Sequence, residues 1–363
     1  MHGKRLTRRE FVRDGSAIAT AGAVLAGGAP ATSFAALSRK ERSKVEKTLN
    51  YNPKMQYRRM GKSDLWVSAV SFGGHWKNRE GGRYWAEFEN DEVPQDALEN
   101  REKAFAKAVE LGINYLDLTT PAEALVYGQT MKNLGVSMYV GYSDHILCMR
   151  DKRNRNVKAL TREIDEGLRR LQMDCIDIFR EQADMRGKHT DDEMAILVET
   201  FVNAHEQGKV RFLGVSSHSR PWLIHIIEKF PEIAMVIFPF PFGAKLHPRK
   251  SLFNVAARRD VGIACIKPFN GGSLFRTENR PQEIQQLTGD RIASLALRTA
   301  VDVKEMTCIL PGMTTPPEVE NAARCATAPP LTKDDRDLME KLGPQEYAAL
   351  PRSYTWLRDW AMV

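Results

Sequence analysis

The sequence is poor in cysteine and contains none of the paired-cysteine motifs that hold metal ions or clusters. Its 363 residues include five cysteines and no C-x-x-C pair. Cys175, Cys265 and Cys308 lie inside apolar runs, where cysteine usually behaves as a small buried hydrophobic residue. The odd number and wide spacing argue against a disulfide framework and against a zinc or iron–sulfur site. The sequence therefore predicts no resident metal.

The chain also lacks a strong excess of charge of one sign. Its formal net charge is +7, and residues 1–35 contain five Lys/Arg and two Asp/Glu, so they account for part of that excess. No stripe of Lys and Arg alternates with aromatic residues. A modest positive balance of this kind indicates an ordinary solvated surface and predicts no nucleic-acid partner. Hydrophobic residues at 42% and charged residues at 27% are typical of a folded globular protein.

Long apolar runs are scarce as well, and the one near the N-terminus has the features of an export address. Residues 15–31 are weakly apolar and rich in Ala and Gly. This segment is too short and too rich in Gly for a stable membrane span. They follow the paired Arg8 and Arg9, and small residues precede a cleavage position after Ala35. These parts resemble a twin-arginine signal, with an ordinary basic amphipathic helix as the alternative. We expect residues 1–35 to be read by the twin-arginine export machinery, and the protein to be exported, periplasmic or extracytoplasmic.

Beyond a polar segment at 36–54, which reads as a linker, short apolar runs alternate with segments of helical spacing. Because the runs are rich in β-branched residues, they are typical of strands buried on both faces. Gly112 and Gly208 occupy positions that typically end helices. The predicted strands are 67–72, 113–118, 137–140, 175–179, 210–215, 235–238, 263–266 and 307–310, and the predicted helices include 101–111, 160–171, 193–207 and 290–301.

Eight strands that alternate with helices predict an α/β fold, a single (β/α)8 TIM-type barrel over residues 55–330. An open doubly wound sheet is the alternative, and the absence of a G-x-G-x-x-G motif after the first strand weakens it. Residues 331–363 are expected to form a C-terminal extension that packs on the barrel. The charged and aromatic insert at 76–100 is expected to be a loop over the barrel mouth.

Four segments in the same order resemble the aldo-keto reductase family. They are YRRMGKSDLWVS at 57–68, ELGINYLD at 110–117, GKVRFLGVSS at 208–217, and LPGMT at 310–314 with Glu320 and Asn321 downstream. The segment KPFNGG at 267–272 is most similar to the branch often found beside iron–sulfur modules, whose cysteines are missing here. The resemblance implies an N-terminal β-hairpin before the barrel and hydride transfer between NAD or NADP and a carbonyl or alcohol substrate.

The catalytic group that the resemblance implies is incomplete. Members of this family use Asp, Tyr, Lys and His at strand ends, where a tuned phenol supplies the proton. Asp117 matches the Asp, but Ala122 occupies the position of the Tyr. The resemblance therefore implies that the loop bearing this Tyr is deleted. Ser143 stands in place of the Lys and Gln182 in place of the His. Gln182 can still donate a hydrogen bond to a carbonyl oxygen.

Other polar side chains at strand ends offer alternatives. Arg180 lies on the same side of its strand as Gln182 and requires a partner, so Asp117 is either its ion-pair partner or a catalytic group. His145, with Asp144 and Tyr142, is the first candidate for replacement acid–base chemistry, and His75, Glu181 and His218 also follow strands. Tyr127 is a candidate substitute for the missing Tyr, but a helical tyrosine is more typical of a packing residue, and we interpret it as one. His75, Asp144, His145 and Glu181 permit only a weak metal hypothesis, since they lack ligand spacing.

The cofactor end is better preserved. The resemblance implies that Ser216 and Ser217 contact the carboxamide, that Lys267 contacts the pyrophosphate, and that the last strand and the helix after it bind the adenosine. Ile266 replaces the Tyr that stacks on the nicotinamide. The complete set implied for the cofactor is Gly74, Asp117, Ser216, Ser217, Lys267, Gly312, Thr314, Glu320 and Asn321.

Three functions remain open on the sequence alone. The first is an NAD(P)-linked oxidoreductase with altered catalytic groups and a small-molecule substrate. The second is a non-catalytic binding protein that keeps the barrel. The third is a different barrel chemistry built on Asp144, His145 and Glu181.

Overall fold

The computed structural model describes residues 37–76, 87–247, 251–276 and 285–363. The expected signal at 1–35 lies outside these residues, as does much of the insert predicted at 76–100. Among the described helices, none is both long and apolar enough to cross a membrane.

The last eight of the ten described strands are parallel and form one sheet in the order of the sequence, as predicted for a (β/α)8 barrel. Hydrogen bonds close the sheet between its first and last strands: the Ser71 amide donates to Ile309 O at 3.0 Å, and the Gly73 amide donates to Pro311 O at 3.2 Å. The strands are β1 Tyr57–Arg59, β2 Trp66–Ser68, β3 Phe72–Gly73, β4 Tyr115–Leu118, β5 Tyr139–Tyr142, β6 Ile176–Gln182, β7 Val210–Ser216, β8 Ile233–Pro239, β9 Gly262–Ile266 and β10 Cys308–Ile309.

Helices follow the strands and cover the outside of the sheet. They are α1 Arg39–Val45, α2 Gln95–Glu110, α3 Pro121–Leu134, α4 Val157–Leu171, α5 Asp191–Glu206, α6 Arg220–Lys229, α7 Leu252–Arg258, α8 Gly289–Val301, α9 Pro316–Cys325 and α10 Lys333–Ala348. Gly112 and Gly208 follow α2 and α5 with φ of +86° and +73°, which confirms the predicted helix ends. Helix α2 begins at Gln95, inside the insert that was predicted to be a loop as far as residue 100.

The first predicted strand is divided into two. Residues 66–68 form β2, which pairs with β1 in an antiparallel hairpin, while the barrel strand β3 begins only at Phe72. The Ser71 hydroxyl donates to Ser68 O at 2.7 Å and stabilises the bend between them. A continuous apolar pattern therefore hides a change of direction, because both strands bury every side chain.

Two terminal segments pack on the barrel. Residues 37–54, predicted as a linker, include α1, and Val45 of that helix is buried in the main core. At the other end, a 3-10 helix at Arg352–Trp360 lies over the ends of β7 and β8. Its Trp360 ring stacks on Phe238 with 5.6 Å between centroids, and Trp360 Nε1 donates to His218 O at 3.3 Å.

Candidate active site

Three of the positions that the resemblance assigns to the catalytic group meet at the carboxyl ends of adjacent strands. Asp117 lies on β4, Ser143 follows β5, and Gln182 ends β6. All three side chains are buried. The carboxyl ends of parallel barrel strands form the mouth where barrel enzymes bind their substrates. The fold therefore brings these residues to the region expected of a site.

Asp117 is committed to an ion pair with Arg180. Arg180 Nε donates to Asp117 Oδ2 at 3.1 Å, and Nη2 lies 3.0 Å from Oδ1. Tyr115 donates to the same carboxylate at 3.0 Å. Burial raises the pKa of Asp117, and the charge of Arg180 opposes that rise. The geometry confirms the predicted pairing, so the Asp117 carboxylate is already occupied.

The loop that would carry a catalytic tyrosine is absent. Only Thr119 and Thr120 separate β4 from α3, and Ala122 lies in the first turn of that helix. Thr120 caps α3 in a capping box with Glu123. Tyr127 is fully buried, as its interpretation as a packing residue requires, and its hydroxyl accepts a hydrogen bond from Arg101 at 3.1 Å. Burial raises the pKa of Tyr127 to about 12, which makes it a poor proton donor.

Ser143 and Gln182 are placed differently with respect to hydrogen bonding. The Ser143 hydroxyl is buried and makes no hydrogen bond within the described part of the chain. The Gln182 amide donates to Thr119 O at 3.1 Å. Since a glutamine amide has two N–H donors, Gln182 retains one for a ligand.

The alternative set built on Asp144, His145 and Glu181 is not assembled at the mouth. Asp144 is buried and binds Arg170, with 2.8 Å between Oδ2 and Nη1. Glu181 is buried as well and accepts the Met149 amide at 2.7 Å. The His145 side chain is 34% exposed, and its Nε2 lies 3.7 Å from Glu87 Oε1. Of the three groups, only His145 is accessible to a substrate.

Glu181 shares a buried hydrogen bond with Glu163 of α4. Both side chains are fully buried, and burial together with the neighbouring carboxyl raises the pKa of Glu163 well above its ordinary value. Burial also raises the pKa of Glu181. Two neighbouring buried carboxyl groups are costly to ionise together, which favours a form of the pair that keeps one proton.

A cluster that sequence reasoning did not assemble surrounds Thr119. His75 Nδ1 bonds to Glu123 Oε1 and lies 3.1 Å from the Thr119 hydroxyl. The carbonyl of Thr119 accepts hydrogen bonds from Gln182 and from the His145 amide. His75 follows β3 and is 43% exposed, whereas Glu123 is completely enclosed. The T-x-x-E capping pattern at 120–123 and a histidine after the first strand are the sequence signals that mark it.

At the cofactor end, several predicted contacts are already used inside the protein. The Ser216 hydroxyl accepts from Arg180 at 3.1 Å, and the Ser217 hydroxyl donates to Asp184 O at 2.9 Å. Glu320 lies 3.4 Å from Lys107. The Asn321 amide donates to Asp290 O at 3.2 Å.

At the remaining predicted positions of this end, the backbone makes the contacts described here. Thr314 donates its amide to Glu318 at 2.6 Å. A Cβ on Gly312 would approach His75 O to 2.7 Å, and one on Gly74 would approach Asp117 O to 2.6 Å. Both glycines are therefore required for close approach between strand ends.

Lys267 lies at this end without a carboxylate partner among the described residues. Neither Lys267 nor Arg150 forms an ion pair within the described residues, although burial lowers the pKa of each. Lys267 also holds a left-handed backbone with φ of +66°, a conformation that costs a lysine energy. A partly buried cation is stabilised by a compensating charge, so this position fits the pyrophosphate of a dinucleotide.

The C-terminal 3-10 helix covers the same end of the mouth. The Tyr354 ring lies 5.7 Å from Lys267 Nζ, and Trp356 stacks on His218 with 4.1 Å between centroids. Burial, with the charges of Lys267 and Arg150, lowers the pKa of His218 to about 3, so this imidazole is neutral. A dinucleotide at Lys267 would have to share this space with Tyr354.

Within the described residues, no group of three or more His, Cys, Asp or Glu side chains is placed to hold a metal ion. His75, Asp144, His145 and Glu181 form no such group, and each of them contacts the protein groups described above.

Comparisons with known proteins point in one direction. The model of the Aldo/keto reductase family matches residues 86–343. L-galactose dehydrogenase of Arabidopsis thaliana is 25% identical over 313 residues, which cover 79% of this chain and 93% of that protein. L-glyceraldehyde 3-phosphate reductase of Escherichia coli K12 is 27% identical over 241 residues, covering 61% of this chain and 63% of that protein.

Solved structures share the fold at lower identity. An aldo-keto reductase from Bacillus halodurans in its holo form has a TM-score of 0.60 and 19% identity, covering 79% of this chain and 96% of that one. An aldo/keto reductase from Klebsiella pneumoniae, in complex with NADP and acetate, has a TM-score of 0.58 and 16% identity, covering 80% and 96%.

Proposed function

The chain belongs to the aldo/keto reductase family, and from that membership we propose that it is an NAD(P)-linked oxidoreductase acting on a carbonyl or alcohol substrate with a degenerate catalytic tetrad. The observation that carries the proposal is Lys267. It is a partly buried cation without a carboxylate partner among the described residues, on a left-handed backbone at the cofactor end. A partly buried charge of this kind is a candidate ligand contact, because a ligand can supply the opposite charge.

A bound dinucleotide would supply the hydride, and this chain's own side chains would bind and orient. Lys267 would hold the pyrophosphate charge. The second N–H of Gln182 would direct the substrate oxygen, since the first is held by Thr119. Asp117 would tune no phenol at the substrate, because Arg180 and the enclosed Tyr115 occupy its carboxylate and only two residues separate β4 from α3. The proton must therefore come from another group at the mouth.

A titration with NADPH and with NADH tests the proposal. Binding is followed by fluorescence and by melting temperature, because a ligand that prefers the folded state raises that temperature. Lys267→Gln should weaken binding by about tenfold or more, as expected for a lost charge-assisted contact. Lys152→Gln, an exposed lysine on the loop after β5, is the matched control and should bind normally. If neither NADPH nor NADH binds, the proposal is overturned.

Dinucleotide binding without turnover of any carbonyl or alcohol would instead favour the non-catalytic binding protein. The committed Asp117 and the cover over Lys267 are the observations that favour this second candidate.

We also propose that residues 1–35 direct export by the twin-arginine machinery. The paired Arg8 and Arg9, the weakly apolar stretch and the small residues before Ala35 support it.

A further inference from the structure

We propose that His75, held by Glu123, is the residue that exchanges a proton with the substrate oxygen in place of the missing tyrosine. The inference rests on the oxidoreductase function proposed above. The geometry that carries it is a histidine at the barrel mouth whose Nδ1 is fixed by an enclosed carboxylate.

Glu123 is suited to orient an imidazole. Its Oε2 accepts the amides of Thr119 at 2.7 Å and of Thr120 at 3.2 Å, while Oε1 bonds to His75. The carboxylate also faces the N-terminus of α3, where the helix dipole favours a negative charge. Glu123 therefore stays fixed while His75 gains and loses a proton.

The backbone around His75 places it beside the other mouth residues. The Gly74 amide donates to Asp117 O at 2.8 Å, which joins the end of β3 to β4. The next residue, Trp76, is buried with Arg101 over its ring at 4.8 Å. Because Thr119 contacts both His75 and Gln182, a carbonyl oxygen directed by Gln182 would lie near the imidazole.

A second histidine in the chain shows what distinguishes His75. His189 also bonds to the Glu of a capping box, with 3.1 Å between Nδ1 and Glu193 Oε2. Its side chain is fully buried, however, and its Nε2 accepts the Asp184 amide at 2.7 Å. That imidazole is closed to substrate. His75 also has a carboxylate on Nδ1, and its Nε2 lies 3.3 Å from the Thr119 hydroxyl, but its side chain is 43% exposed at the mouth.

The step balances as follows. In reduction, a bound dihydronicotinamide would supply a hydride with its electron pair to the carbonyl carbon, and the C=O π pair would move to oxygen. That oxygen takes a proton from the His75 imidazolium, which becomes neutral imidazole and regains a proton from water. The products are an alcohol and the oxidised dinucleotide, and the alcohol oxidation runs in reverse. General acid catalysis of this kind contributes about 10²- to 10⁴-fold to a rate.

Single-turnover and steady-state assays with a panel of aldehydes test the role. His75→Gln should lower kcat by about 100-fold or more while dinucleotide affinity stays within twofold. Glu123→Gln, which preserves the capping box but not the charge, should lower kcat by a smaller factor. His225→Gln removes an exposed histidine of α6 that is paired with Asp191, and it should match the wild type. His75→Gly should regain activity with added imidazole.

Proton NMR provides a readout that needs no turnover. The imidazole N–H signal of a His75–Glu123 hydrogen bond should disappear in His75→Gln, move in Glu123→Gln and persist in His225→Gln. Unchanged kcat in a folded His75→Gln protein, or an unchanged N–H signal in Glu123→Gln, would overturn the proton role while dinucleotide binding stands. If the wild-type protein binds neither dinucleotide, the proposed oxidoreductase function is overturned instead.

Discussion

Inside the barrel, Arg180 binds both carboxylate oxygens of Asp117, and the two side chains are almost completely buried. Arg180 Nη2 also donates to Leu118 O at 2.6 Å, so the guanidinium ties β6 to β4. The pair is a buried structural cross-link between two strands.

Breaking this ion pair should destabilise the barrel strongly. Asp117→Asn leaves a buried arginine without a counter-charge, which costs about 3–5 kcal/mol in comparable pairs. Replacing both partners by Leu and Met should cost less, because no charge is stranded. Urea denaturation measures each free energy of unfolding. Asp165→Asn, which breaks the exposed pair with Lys209, serves as control at about 1 kcal/mol or less. Equal losses at the two sites would contradict the buried cross-link.

The Glu163–Glu181 pair predicts a stability that falls as pH rises. Burial raises the pKa of both groups. At a pH just above the ordinary carboxyl pKa, the unfolded chain has therefore released a proton that the folded pair still holds. Stability is complete below that ordinary pKa and is lost as pH increases through the raised folded-state value. Glu163→Gln should therefore melt higher than the wild type at pH 8–9 and differ less near pH 5. Glu166→Gln, an accessible carboxylate on the same helix, should leave the pH slope unchanged.

Removing the cover over Lys267 should ease dinucleotide binding. Tyr354→Ala takes away the ring 5.7 Å from Nζ, and a cation–π contact of about 0.5–2 kcal/mol no longer competes with the ligand. We expect the Kd for NADPH to fall by roughly two- to thirtyfold, as measured by fluorescence titration. Tyr51→Ala, at a ring that packs on Tyr57 instead, is the control. Weaker binding by Tyr354→Ala would mean that this ring supports the ligand.

Substituting both Arg8 and Arg9 with Lys should block export if residues 1–35 form a twin-arginine signal. Lysine keeps the charge and loses the planar guanidinium, so a machinery that reads the arginine pair discriminates between them. Cell fractionation with the full chain measures the result. Arg13→Lys, outside the pair, should be exported as before, and unchanged export of the double variant would refute the assignment.

The sequence predicted those parts of the molecule that depend on local pattern. Apolar runs located seven of the eight barrel strands, and the alternation along β6 was enough to predict that Arg180 faces inward toward Asp117. The first strand was misread because a bend at Ser68 leaves the apolar pattern unbroken.

The contacts that the sequence could not provide are non-local. Glu123 reads as a helix-capping residue, and nothing in its neighbourhood indicates that His75, 48 residues earlier, bonds to it. The Glu163–Glu181 hydrogen bond likewise joins a helix face to a strand end. The cover formed by Tyr354 and Trp356 depends on how the C-terminal segment folds back over β7 and β9, which no short motif encodes.

The seam between β3 and β10 also has a consequence for how the protein reaches its native state. Across it, the Ile309 amide donates to Ala69 O, and Arg58 binds Met306 O 248 residues away along the chain. Contacts so distant in sequence form late, because loop closure must be achieved before they contribute. Until then both strands present unpaired edges on which other chains can add. Aggregation during refolding should therefore compete with closure of this seam.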